Sequence, residues 1–352
     1  MNNIVISPIF STYMSGRIWM GLDVIKLKKF LLKINTNVNI QIIELEKISN
    51  DYSLLPLNSL FFYSVSYNKN YDQFIKDLIY DIALVRKDVK FLPDINQLFS
   101  FENKGYQELY KKRLSLKNLA GKYYGDIDDL INDNNKFNYP FVLKINEGAL
   151  SSGVSLIKDE SHLKVFRNKV KKKTFRETAS FLLNKRNSFK KDIELKPNQK
   201  LLASNFDQFF QKRKPVITQT FISGLSHDFK VLVFGNKFFV LQRDVRDNDF
   251  RASGSGKFRW VEPPQEVLNY SLDVVRKMKV SFISLDVGID ENKNCFLFEY
   301  QGVGFGPLTL TNSDSYFIYT NNVWKRIVNS SDLEESYAYA INYYANNLNE
   351  NN

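Results

Sequence analysis

Residues 283–307, ISLDVGIDENKNCFLFEYQGVGFGP, decide how this chain is read. Ile283, Leu285 and Val287 alternate with Ser284, Asp286 and Gly288, the two-residue period of a strand. Residues 290–294 make a polar turn, and residues 295–300 form a second, mostly apolar run that leads into Gln301. A hairpin built from the two runs puts Asp286 beside Glu299. Glu299 and Gln301, two apart, share one face of their strand. That face then carries two carboxylates and an amide oxygen. This is an all-oxygen donor set for a hard cation such as magnesium, which uses few carboxylates and completes its shell with water and phosphate. The same pattern also fits a solvated hairpin with scattered acids, so the stretch has to be weighed with the rest of the chain.

At 352 residues the chain has room for two or three compact modules and a large core. A hydrophobic content of 43% with 14% aromatics marks it as globular rather than disordered. No run of 18 apolar residues occurs, so no membrane-spanning helix is expected. The opening MNNIVISPIF lacks the basic-then-apolar order of a secretory leader, and a cytoplasmic protein is expected. The lone Cys295 excludes an internal disulfide and a cysteine metal cluster, and with only His162 and His227 a zinc site or a Ser-His-Asp triad fits poorly. The net charge of +11 favours anionic partners: nucleotide phosphates, acidic glycans, nucleic acid or an anionic membrane face.

Residues 1–100 read as a small α/β module. Short apolar runs at Ile4–Ile6, Val38–Leu45, Leu60–Val65 and Lys90–Pro93 alternate with helical periods at Gly21–Ile34 and Tyr71–Leu84, which predicts a mostly parallel sheet. Residues 101–120 form a basic helix opening on Asn103-Lys104. In residues 139–159, YPFVLKINEGALSSGVSLIKD, a strand ends on Lys144, a turn carries Gly148, Ser151, Ser152 and Gly153, and a second strand follows. Glycines let the backbone approach a ligand, successive N–H groups make an anion nest, and Lys144 adds a point charge; an ordinary hairpin with a small-residue turn has the same pattern.

Residues 158–214 hold 17 Lys or Arg against 6 Asp or Glu, a net of +11 that equals the charge of the whole chain. Such a run is often a solvated face, yet the asymmetry points to an acidic partner. Residues 216–240 read as strand, turn, strand, tight turn, strand, with Asp228 and Lys230 on one polar face. In residues 242–260, QRDVRDNDFRASGSGKFRW, Arg243, Arg246 and Arg251 surround a glycine-bearing loop and offer fixed forks for carboxylate or phosphate oxygens. A helix within residues 263–280 precedes the hairpin, and a tyrosine- and alanine-rich helix at 332–348 closes the chain.

Taken in order, the Asn103-Lys104 pair, PFVLK with its Gly/Ser loop, ITQTFI followed by Asp228, RDVRDNDFR, and LD with the later EYQ resemble the ATP-grasp superfamily of carboxylate–amine ligases. The likeness spans residues 103–307. It implies an α/β (α+β) protein with the ATP-grasp fold. An N-terminal α/β domain (1–100) would be followed by two α+β subdomains that clamp ATP, 101–230 with the basic insertion 158–214, and 231–352. It implies ATP and two magnesium ions, with manganese able to substitute. Lys104, Lys144 and Lys230 would serve the nucleotide, and Gly148, Ser151, Ser152 and Gly153 would close over its phosphates. Gln219, Thr220, Phe221 and Ile222 would meet adenine, and Asp228 would lie near the ribose. Arg243, Arg246 and Arg251 would act at the transferring phosphoryl group and the carboxylate, and Asp286, Glu299 and Gln301 would hold metal. Gln301 departs from the family's usual Asn, and GVGFGP departs from its usual small-residue loop on the substrate side.

The implied reaction forms an acyl phosphate from a substrate carboxylate, and an amine then displaces phosphate. No protein nucleophile is needed, in keeping with so few His and Cys. The implied partners are a carboxylate and an amine, the basic insertion suggesting an acidic polysaccharide, its lipid-linked precursor or an acidic peptide; an oligomer remains compatible. The alternatives are an ATP-grasp phosphotransferase and a non-catalytic basic protein binding nucleic acid or glycan. Against the second, the basic residues lack the aromatic interleaving of a stacking platform.

Overall fold

The computed structural model describes residues 3–9, 13–14, 21–116, 120–135, 137–146, 153–171, 179, 182–183, 213–247 and 249–350. The chain divides into two compact units: residues 1–119, 149–152 and 222–352 form the first, and residues 120–148 and 153–221 the second.

In the first unit the opening α/β pattern becomes a four-stranded parallel sheet. Its order is Asn39–Ile42, Asn3–Ser7, Ser59–Tyr63, Lys90–Leu92. The connecting helices include Val24–Ile34, capped by the Asp23 carboxylate on the N–H groups of Ile25 and Lys26, and Lys69–Val85, capped likewise by Asn68. Such caps satisfy donors that have no partner inside the first turn. Each helix buries one stripe, Val24, Leu27 and Leu31 in the first and Ile75, Leu78, Ile79 and Ile82 in the second.

The same unit contains a larger antiparallel sheet. Its order runs Cys295–Gln301, Phe282–Ile289, His227–Phe234, Lys237–Asp244, Ser315–Thr320, Val323–Val328, with the short strand Phe258–Arg259 paired to Lys237–Asp244. Gln265–Met278 packs Val267, Leu268, Val274, Val275 and Met278 against one face of it. The parallel and antiparallel sheets share a core: Phe62 meets Phe282 edge-on at 6.1 Å, and Phe282, Phe305 and Tyr337 join it. The closing helix Leu333–Glu350 is tied to the first helix, where Lys26 Nζ lies 2.5 Å from Asp332 and 2.8 Å from Glu334.

The second unit is a four-stranded antiparallel sheet in the order Gly121–Tyr124, Val216–Thr220, Phe141–Ile145, Val154–Ile157. Helices Ile127–Asn132 and Glu160–Lys171 cover one face, where Phe141, Leu143, Val216, Leu163 and Phe166 form the core. The basic helix expected over residues 101–120 runs only from Lys104 to Arg113, and Leu114 caps it. No helix among the described residues is long and apolar enough to cross a membrane.

Candidate nucleotide and metal site

The hairpin strands Phe282–Ile289 and Cys295–Gln301 pair with Asp286 opposite Glu299 and Ser284 opposite Gln301. Directly opposite side chains in an antiparallel pair stand about 5 Å apart at Cβ, and two like charges there repel unless a cation lies between or beside them. A register shift follows at Asp286/Val287, so Val287 faces Leu297 and Phe298 is the extra residue. The shift bends the strand beside the acids, as bulges do near sites. A Cβ at Gly288 would sit 2.3 Å from the Phe298 ring, so a larger residue there would displace that ring.

The next strand supplies the counter-charge. Lys230 lies in register with Asp286, and its Nζ is 3.1 Å from Asp286 Oδ1. Asp228, two residues earlier on the same face, pairs across to Arg243. The guanidinium of Arg243 forks onto Asp228, with Nε donating to Oδ1 at 2.7 Å and Nη2 to Oδ2 at 2.8 Å, and its Nη2 also reaches Asp286 Oδ2 at 3.0 Å. Arg243 and Asp228 are both buried. Burial opposes the Asp286 carboxylate, but Arg243 and Lys230 outweigh it and hold the acid down to about 2. Burial likewise opposes the charge on Arg243, and Asp286 and Asp228 outweigh it, so its pKa is raised.

A sixth charge arrives from another element. Asn103 caps the helix Lys104–Arg113 by accepting from the Tyr106 N–H, and this places Lys104 in the first turn. Lys104 is buried, with Nζ 3.7 Å from Glu299 Oε1. Three acids, Asp228, Asp286 and Glu299, are thus met by three bases, Lys104, Lys230 and Arg243.

Among the described residues no group of three or more His, Cys, Asp or Glu is arranged to hold a metal ion. The hairpin instead offers two carboxylates and the Gln301 amide on adjacent register positions. That donor set fits magnesium, which is commonly bound by one or two carboxylates together with substrate phosphates.

No protein-family model matches the sequence, and no curated protein does. Solved structures do. D-cycloserine synthetase DcsG superposes with a TM-score of 0.53 at 9% identity, over 97% of this chain and 98% of that one. The ATP-grasp ligase PsnB, solved with a minimal precursor, gives 0.51 at 9% identity over 98% and 99%. A RimK domain ATP-grasp protein from Sphaerobacter thermophilus gives 0.50 at 7% identity over 97% and 98%.

The chain has the ATP-grasp fold.

Within this fold the first unit gathers Lys104, Asp228, Lys230, Arg243, Asp286 and Glu299 into one charge cluster, with Gln301 beside it in register. Arg246 and Arg251 belong to the adjoining loop. Arg246 Nη2 donates to the Ser253 carbonyl at 2.6 Å, and Arg251 Nη2 lies 2.6 Å from Asp249 Oδ2. The second unit brings Lys144 and Gln219 to one face of its sheet. Lys144 pairs with Ile217 and Gln219 with Val142, so all four share the face opposite the apolar core; both polar side chains are buried. Thr220 ends that strand, Phe221 and Ile222 follow it, and the Gly153 carbonyl accepts the Ile145 N–H at 2.9 Å. Gly148, Ser151 and Ser152 lie outside the described residues, as does most of the basic segment 158–214.

Two groups escaped the sequence reading. Gln97 is buried, closes a capping box with Asp94, and donates through Nε2 to the carbonyls of Phe282 (3.0 Å) and Gly302 (3.1 Å). The Tyr67 hydroxyl donates to the Gly304 carbonyl at 2.7 Å. These contacts span 185, 205 and 237 residues of chain, and no local pattern announces them.

Proposed function

We propose that this protein is an ATP-dependent ligase that joins a carboxylate to an amine and releases ADP and phosphate. The observation that carries the reading is the register of Asp286 opposite Glu299, ringed by Lys104, Lys230 and Arg243, on an ATP-grasp fold. In this reading residues 1–100 are the leading domain, and the nucleotide would be held by residues of the remaining chain. Lys144, Gln219, Thr220, Phe221 and Ile222 would contact it, and Gly148, Ser151, Ser152 and Gly153 would serve its phosphates. Asp286, Glu299 and Gln301 would hold magnesium, which when bound neutralises charge on the phosphates.

The ion pairs of the site suggest how it would receive ATP. Lys104, Lys230 and Arg243 now neutralise carboxylates; ATP brings phosphate oxygens that compete for the same donors. The bases would then pair with phosphate while the acids would be free to hold metal, so neither set of charges would be left bare. A substrate carboxylate oxygen attacks the γ-phosphorus and the bond to ADP breaks. The amine nitrogen then attacks the acyl carbon, phosphate departs, and the nitrogen gives up a proton. Positioned charges do most of this work, since the phosphoryl transition state needs little covalent help. Arg246 and Arg251 would steer the carboxylate into line, Arg251 exchanging Asp249 for it.

An acidic acceptor, a uronic-acid polysaccharide or its lipid-linked precursor or an acidic peptide, fits the charge of residues 158–214. The test is an ADP-release screen of acids against amines with purified protein and ATP. The reading predicts ADP only when both substrates are present, and with an acidic polymer a rate that falls steeply as salt rises. ADP release with a phosphorylated product and no amide would contradict it.

A further inference from the structure

A pocket with about 40 Å³ of free space opens in the first unit between the parallel sheet, the hairpin and the closing helix. It is walled by Phe62, Phe282, Phe305 and Tyr337, with Tyr63 and Ser64 adding hydroxyls, together with the loop that begins at Val303, and no charged side chain is among its described lining residues. That is notable in a chain with 25% charged residues, whose neighbouring site is built from six charges. The pocket's place is equally specific. Phe62 and Tyr63 end the strand Ser59–Tyr63, and the carboxyl ends of strands are where open α/β sheets take ligands. Val303 stands two residues beyond Gln301, so the pocket wall continues directly from the hairpin's acids.

The wall is also held in place before any ligand arrives. Gln97 grips the Phe282 and Gly302 carbonyls, and Tyr67 grips that of Gly304. Gly304 adopts φ +72°, and a Cβ there would lie 2.7 Å from the Phe101 ring. A loop anchored from three sides at a left-handed glycine has little freedom to fill the space itself, and a preset cavity costs a ligand less ordering.

We propose that this pocket takes the short, uncharged, aliphatic side chain of one of the two condensing substrates, leaving that substrate's carboxylate or amine toward the hairpin. Its free space of about 40 Å³ suits about three to four heavy atoms, the size of a leucyl side chain and smaller than a phenyl ring. A charged group there would lose its water without meeting an opposite charge among the described lining residues. The proposal rests on the ligase reading.

Calorimetry on the full-length protein tests it without needing turnover. The probes are N-acetylleucine, which offers only a carboxylate, and leucinamide, which offers only an amine; the controls are N-acetylglutamate, lysinamide, N-acetylphenylalanine and phenylalaninamide. At least one leucyl probe should bind about tenfold more tightly than the charged and phenyl probes of the same series. The series in which it does so identifies the substrate concerned. Phe305→Ala should admit the phenyl group and reverse the leucyl-over-phenyl preference. The wild-type ranking stands as a test even if that variant folds poorly. Equal binding of charged and leucyl probes, or no binding of either leucyl probe, overturns the proposal and makes the pocket a packing gap. Leucyl binding without ADP release from any pair of substrates would instead overturn the ligase reading and leave the pocket's preference standing.

Discussion

Replacing Arg243 by Met removes the charge that holds two buried carboxylates together. Arg243 makes contacts of 2.7 and 2.8 Å to Asp228 and 3.0 Å to Asp286, and the variant leaves Lys230 as the one cation bonded to this acid pair among the described residues. Breaking a buried ion pair by deleting one partner costs about 3–5 kcal/mol, because the remaining charge stays desolvated. Arg243 serves two acids, so about 4 kcal/mol is expected, a large part of the roughly 5–15 kcal/mol that holds a domain folded. The matching acid variant separates charge from packing. Arg243→Met with Asp228→Asn removes both the cation and its forked partner, leaving Asp286 with Lys230, and should recover at least about 2 kcal/mol of the loss. Urea unfolding of the four proteins, followed by circular dichroism without nucleotide or metal, measures the cycle. Additivity of the two single changes within about 0.5 kcal/mol would refute the view that these residues form one charge unit.

Other consequences are simpler. Glu299→Gln removes a charge opposite Asp286 while keeping its shape, and should reduce ADP formation at least a hundredfold with little change in the unfolding midpoint; near-normal turnover would remove Glu299 from the site. Lys144→Ala should raise the ATP KM by about tenfold to a hundredfold, the effect of losing a charge-assisted bond worth roughly 1.5–3 kcal/mol; unaltered nucleotide affinity by calorimetry would make Lys144 an ordinary strand residue. Gly288→Ala should destabilise the hairpin by about 1–3 kcal/mol, since its Cβ meets the Phe298 ring, and Phe298→Ala should relieve most of that cost. Reversing Lys172 and Lys173 to Glu should weaken use of an acidic polymer and spare the ATP KM. Lys171 is left out of that pair because it is bonded to Asp126, at 3.1 Å, and to Asp128 within the second unit.

The hairpin was legible because two signals agreed. A two-residue period marked the strands, and a short polar turn fixed their register closely enough to set Asp286 against Glu299. The alternating strands and helices of residues 1–100 were legible for the same reason, and the parallel sheet follows from them. The register shift at Phe298 was not, because a bulge depends on how Gly288 packs across the pair and not on period. The Asp228–Arg243 fork was also hidden. Both residues stood out one by one, but their pairing needs the register of His227–Phe234 with Lys237–Asp244. A basic helix taken alone suggests solvated lysines, whereas Lys104 and Lys111 are buried, Lys111 against Glu108 at 2.5 Å. Neighbouring strands desolvate them, and a helical wheel does not contain those strands. The aromatic pocket gave no signal at all, since Leu22, Phe62, Phe282, Phe305 and Tyr337 come from five separated stretches.

Hydroxylamine trapping tests the proposed chemistry most directly. Purified protein with ATP, magnesium, hydroxylamine and a panel of carboxylic acids should release ADP and form an acyl hydroxamate in equal amounts, with both lost in Asp286→Asn. Only an activated acyl group reacts in this way. ADP released without hydroxamate from any acid that stimulates it would contradict an acyl-phosphate ligase and favour transfer of the phosphoryl group to a stable product.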